Sequence, residues 1–150
     1  MLVTKPHHIE GAKSAATRVC HVHDALAGYL KPGLTLTEID AFVAETLTKL
    51  DSTSCFYRYR IPGQRPFPSH SCLSLNDCVV HGTHLDVVRP LQEGDVLSID
   101  IGVLHRGWIG DAAWTYGIVD VSDADRQRMA VGVDSLRRGI DATQPGRPLI

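Results

Sequence analysis

From Val96 to Val103 the chain alternates strictly, with Leu97, Ile99, Ile101 and Val103 on one side and Val96, Ser98, Asp100 and Gly102 on the other. A period of two marks a strand with one face buried, so Asp100 points away from the apolar side. Leu104-His105-Arg106-Gly107 reads as a turn, and a second run rich in aromatic and branched residues follows as far as Val119. Together they predict a β-hairpin. With His105 and Arg106 as the two loop residues, the pairing puts Asp100 directly opposite Asp111, and a bulge at Gly107 would shift that register by one. Opposed carboxylates lie roughly 4.5 to 5.5 Å apart at Cβ and repel unless a cation sits between them. A divalent metal suits that position, since hard cations take carboxylate oxygens; a solvated acidic face explains the same spacing equally well. Small Gly102 and Gly110 are expected to leave room beside both carboxylates for an ion and a substrate.

Ahead of the hairpin the period changes. Ile9, Ala12, Ala16, Val19, Leu26 and Leu30 recur mostly three or four apart, which predicts an amphipathic helix over residues 8–30, stopped by Lys31-Pro32-Gly33. Thr35 followed by Glu38 forms a capping-box pattern, and Ile39, Phe42, Val43, Leu47 and Leu50 give the stripe of a second helix. Both helices are expected on one side of the sheet. Residues 51–70 hold three prolines, a glycine and four of the nine aromatics, which predicts an irregular loop with a short strand at Cys55 to Tyr59. Its Phe56, Tyr57, Tyr59 and Phe67 either wall a pocket or cover the edge of the core. A strand at Ser71 to Leu75, a turn at Asn76-Asp77 and a polar loop from Thr83 to Gly94 follow. Between them, Gly82 beside His81 allows close approach of backbone or substrate. After the hairpin, Ser122 caps a third helix with apolar Met129, Val133, Leu136 and Ile140. KPGLTL at 31–36 and QPGRPL at 144–149 share a Pro-Gly offset by 113 residues, the mark of an internal repeat.

Composition narrows the function classes. At 150 residues and 43% hydrophobic the chain can form one domain with its own core. A net charge of -2 and a pI near 6.4 give no basic footprint for nucleic acid or an anionic membrane. No apolar run approaches the ~20 residues of a membrane span, and the first residues lack the apolar core of a signal peptide, so a cytoplasmic location is expected. Cys20, Cys55, Cys72 and Cys78 form no CxxC pair and read as free thiols, while His7, His8, His21 and His23 read as surface or packing residues.

Three motifs are more specific than any periodicity: SLNDCVVHG at Ser74 to Gly82, EGDVLSIDIGV at Glu93 to Val103, and GWIGDAAWTY at Gly107 to Tyr116. Through them the chain, from about His8 onward, resembles the type I methionine aminopeptidases, of the pita-bread fold shared with prolidases and creatinase. The resemblance implies an α+β chain: the N-terminal half of a pita-bread fold, an antiparallel sheet with helices packed on one face. It implies that Asp100 and Asp111 ligate a dinuclear centre of divalent ions (cobalt, manganese, iron or zinc), that His81 contacts substrate at the scissile peptide, and that Cys72 and Phe67, the latter replacing the usual tyrosine, line the pocket for a methionine side chain. The implied activity is metal-dependent hydrolytic removal of N-terminal methionine from peptides and nascent proteins. Val80 replaces a frequent cysteine, and the loop from Thr83 to Leu91 is slightly longer than usual.

The family's second, pseudo-symmetric half supplies a histidine and two glutamates as further ligands, and no such half follows in residues 1–150. Residues 1–150 are therefore expected to form one half of a catalytic domain, binding ions weakly and showing little activity alone. A second half-chain or a homodimer is the candidate partner, alongside the peptide substrate. Two alternatives remain: a relative acting on Xaa-Pro bonds, and a non-catalytic half-fold that binds a partner or self-associates.

Overall fold

The protein is described by a computed structural model covering residues 3–148. Its elements run α1 (Pro6–Tyr29), α2 (Leu36–Lys49), β1 (Thr53–Ser54), β2 (Cys72–Leu75), β3 (Val96–His105), β4 (Trp108–Gly117) and α3 (Asp123–Ala142). β3 is the spine of one antiparallel sheet: β4 pairs along one side, and β2 and then β1 share the other. Leu97, Ile99, Ile101 and Val103 of β3 are fully buried, as their alternation requires. They pack with Val19, Val22 and Leu26 of α1 and Ile39, Val43 and Leu47 of α2 in a single cluster. Gly110 lets α1 come close, because a Cβ there would meet the Ala15 backbone 2.6 Å away. The α+β half-fold with helices on one sheet face is thus observed for α1 and α2.

α2 begins at the expected capping box. Thr35 Oγ1 accepts from the Glu38 amide and Glu38 accepts from the Thr35 amide at 2.8 Å. α1 ends at Tyr29 and Gly33 follows with φ 93°; α3 ends at Ala142 and Gly146 follows with φ 80°. Both glycines of the Pro-Gly repeat thus take the left-handed φ that glycine adopts freely. The repeat's last residue, Leu149, lies outside the described residues. α3 carries its expected Ser122 cap, accepting from the Asp125 amide at 3.1 Å. Yet it buries no residue, and Leu136 and Ile140 of its apolar stripe are exposed.

Two local expectations are corrected. The short strand lies at Thr53–Ser54, not at Cys55 to Tyr59. Ser54 Oγ takes the Phe56 and Tyr57 amides at 3.0 and 3.2 Å, which pulls the chain out of the ladder after Cys55 donates to the Gly102 carbonyl. The hairpin register is also shifted. His105 pairs with Trp108, so the loop is Arg106-Gly107, both at positive φ (49° and 82°), a type I′ turn. That turn needs positive φ at both central positions, and this puts the glycine inside it rather than after it. Asp111 consequently faces Gly102, and Asp100 faces Ala113. Asp100 and Asp111 are therefore diagonal neighbours on one face, their backbone positions roughly 7 to 8 Å apart, rather than directly opposed.

Candidate functional site

The face of β3 opposite the core forms the floor of a cleft of about 640 Å³, within the size range of small-ligand sites. Asp100 stands on this floor, and Asp111 of β4 beside it. Cys72 of β2 reaches the cleft because it pairs with Asp100 across the ladder, and Phe67 and His81 complete the set. All five residues singled out in the sequence therefore line one cavity. Gly102 does not leave the room expected beside the carboxylates: a Cβ there would collide with the Cys55 thiol and the Phe56 ring, so the bare glycine lets that wall pack onto β3. Gly110 leaves none there either: it faces α1, on the other side of the sheet.

Each wall is held by identifiable contacts. Asp40 of α2, itself buried, accepts from the His70 and Ser71 amides at 2.9 and 3.0 Å and so fixes the chain entering β2. His81 sits at φ 58° on a segment pinned to β2: the Gly82 amide donates to Ser74 Oγ at 3.2 Å and the Gly82 carbonyl accepts from the Leu73 amide at 2.7 Å. The contact is close enough that a Cβ on Gly82 would strike the Leu73 carbonyl, which is the close approach expected there. The opposite wall is the loop after β1. Arg58 N donates to the Phe67 carbonyl and Phe67 N to the Tyr59 carbonyl, both at 2.9 Å, folding the loop back on itself. Phe56 and Phe67 then meet edge to face at 6.4 Å. Tyr57 turns away and stacks on His70.

The electrostatics of the floor are those of two crowded carboxylates. Oδ1 of Asp100 is buried without a hydrogen-bond partner among the described residues. Burial first, and then the Asp111 carboxylate, raise the Asp100 pKa, with His81 opposing them. An orphaned carboxylate oxygen beside a second carboxylate suits a hard divalent ion. Among the described residues, however, no group of three or more His, Cys, Asp or Glu is arranged to hold one. The Cys72 thiol is pushed up to about 12, by burial first and then by Asp100 and Asp111, and burial raises Cys55 likewise. At neutral pH both thiols stay protonated, so they act as small apolar wall groups and not as nucleophiles.

Sequence reasoning did not single out Cys55, Ile61, Gln64, Arg65 or Ile109, which also border the cleft. The aromatic content of residues 51–70 pointed at this wall, and Phe56 and Tyr59 do line it. Asp40 gave no signal, because it sits among the apolar positions of an otherwise ordinary helix stripe.

Residues 10–149 match metallopeptidase family M24. The chain is 32% identical over 150 residues to methionine aminopeptidase 1 of Bacillus subtilis, covering 99% of this chain and 58% of that protein. It thus spans about half the length of the curated relatives it matches. Among solved structures, methionine aminopeptidase from Thermotoga maritima superposes with a TM-score of 0.87 at 29% identity, covering 97% of this chain and 56% of that one. Prolidase from Pyrococcus furiosus, at 16% identity, covers 96% and 39% with a TM-score of 0.79 and shares the fold alone.

Proposed function

The chain belongs to metallopeptidase family M24, and on that premise we propose that it carries the substrate cleft and two metal-binding carboxylates of a methionine aminopeptidase. The observation that carries this reading is the buried, unpartnered Asp100 oxygen beside Asp111 on the cleft floor. Asp100 and Asp111 would hold divalent ions, which supply Lewis acidity toward a peptide carbonyl and an attacking water. His81, on its pinned segment, contacts the peptide at the bond to be broken. Phe67 and neutral Cys72 enclose an unbranched apolar side chain, for which methionine is suited by its flexibility and soft sulfur. Ions held there would also take the free amine of a peptide's N-terminus as a ligand, which favours removal of one terminal residue.

Two carboxylates alone bind an ion weakly, because affinity grows with donor number and pre-organisation. The described residues gather no third donor, so full activity requires donors from a further polypeptide segment, either a second half-domain or another copy of this chain. The uncovered apolar stripe of α3 supports such a partner. The test is calorimetric titration of the 150-residue chain with Mn²⁺ or Co²⁺, with release of methionine from a Met-Ala peptide followed in parallel. Weak binding that Asp100→Asn and Asp111→Asn each abolish is the expected result. Binding indifferent to both substitutions overturns the assignment, and hydrolysis of Ala-Pro in preference to Met-Ala would favour an Xaa-Pro enzyme instead.

A further inference from the structure

Charge is unevenly distributed around the cleft. The floor carries the acidic pair, while the chain between Asp51 and Asp77 contains Arg58, Arg60 and Arg65 and no acidic residue at all. Of these three, Arg65 borders the cleft, next to Gln64, which also does. The other two are accounted for or remote: Arg58 lies over the Tyr57 ring at 5.1 Å, and Arg60 is not among the residues bordering the cleft. Arg65 is exposed and, among the described residues, forms neither an ion pair nor a side-chain hydrogen bond, whereas Arg89, Arg126, Arg128 and Arg138 are each spent on a carboxylate. A free guanidinium at the wall of a peptide cleft presents a planar fork of donors that matches a carboxylate. Gln64 beside it adds an amide donor of the same reach.

We propose that Arg65, with Gln64, forms a carboxylate-recognising subsite that selects the part of a peptide lying downstream of its first residue. The inference rests on the peptide-cleft reading above and deepens it. In the ion-free chain, with the carboxylate pair on the floor and the guanidinium on the wall, the cleft is dipolar. A peptide enters with its ammonium toward Asp100 and Asp111 and a negative group toward Arg65, and the reverse orientation meets like charge at both ends. The negative group has two sources, an acidic side chain downstream of the first residue or the free C-terminus of a short peptide. Both present the same chemistry to the subsite. Because Arg65 is solvent-exposed, the contact is screened, and its worth is that of an exposed ion pair: up to about fivefold in affinity.

The experiment measures, by calorimetry at low ionic strength, binding of four peptides to the 150-residue chain: Met-Ala-Gly as free acid and as amide, and Met-Ala-Asp and Met-Ala-Asn as amides. Expected is about fivefold tighter binding of the acid over its amide, of the Asp over the Asn peptide, or of both, the pattern identifying which carboxylate is read. Arg65→Gln should erase the preference and Arg65→Lys retain part of it, with the circular dichroism of both variants unchanged. Added salt should shrink the preference in the parent chain. Equal binding of charged and neutral peptides, or a preference that survives Arg65→Gln, overturns the subsite and leaves the peptide cleft standing. Failure of all four to bind removes the peptide cleft itself, and the subsite with it.

Discussion

At Asp100 a buried carboxylate oxygen lacks a partner among the described residues and a second carboxylate stands next to it, so in the ion-free chain the pair weighs against the fold, and under the proposed function a bound cation would relieve it. Replacing it tests that opposition. Asp100→Asn removes the repulsion and should raise the melting temperature of the ion-free chain, by an amount matching about 1 kcal/mol, while abolishing any further rise on adding Mn²⁺. Thermal melts with and without the ion check both signs, and a destabilised variant would count against an electrostatic conflict at this site. Gly82 is the opposite case, where packing and not charge decides. A Cβ there has nowhere to go but the Leu73 carbonyl, so Gly82→Ala should cost at least about 2 kcal/mol by denaturant titration and displace the neighbouring His81. Neither residue could be ranked from sequence by its surroundings. What could be read was type and position: an aspartate on the polar side of a strand and a glycine beside a histidine.

The elements that carry these residues are set by turns and clasps more than by strand propensity. Gly107 adopts φ 82° in the hairpin turn, and Gly107→Val should cost about 1 to 2 kcal/mol, since a branched side chain is strained there. Because the turn fixes which residue faces Asp111, the variant should weaken ion binding as well, which calorimetry would show. Alternation made the strands, the face of each aspartate and the glycine turn legible. It left open which two residues form the loop, because period two is blind to a register shift that keeps every side chain on its own face. A shift of the turn by one residue moves Asp111 from opposite Asp100 to opposite Gly102 while both stay on the cleft floor. At the other end of β3, Asp95 clasps the turn: it accepts from Arg89 at 2.7 and 2.8 Å, from Asn76 at 2.9 Å and from the Gln92 amide at 2.8 Å. These contacts, the Arg89 bond foremost, hold its carboxyl well below the usual range. A lowered folded pKa contributes stability above the unfolded value of about 4, lost as pH falls through the folded one. Asp95→Asn should therefore cost about 1 to 2 kcal/mol at neutral pH, allowing for the partial exposure of Arg89, and flatten the acid limb of a stability–pH profile.

Across the whole molecule the two halves of the chain's helical content behave differently. α1 and α2 were legible because an amphipathic stripe implies a surface to cover, and their stripes meet the buried face of β3. The stripe of α3 was equally legible, but a stripe does not say which surface covers it, and here α3 buries nothing. The cleft shows the same limit: alternation placed Asp100 and Asp111 on one face and the resemblance pointed to Phe67, Cys72 and His81, whereas Asp40 and Arg65 meet the cleft through a loop whose path no periodicity encodes. The difference between the helices is measurable. Leu26 of α1 is fully buried, and Leu26→Ala should cost about 2 to 5 kcal/mol. Leu136 of α3 is 59% exposed, and Leu136→Lys should change stability by less than about 0.5 kcal/mol. A single helix of 20 residues without tertiary support is marginal in water, so amides of α3 should exchange far faster than those of β3. If Leu136→Lys instead proves as costly as Leu26→Ala, the stripe is covered in solution. Dependence of that cost on protein concentration would then show that the cover is a second copy of the chain, since only an intermolecular contact is weakened by dilution.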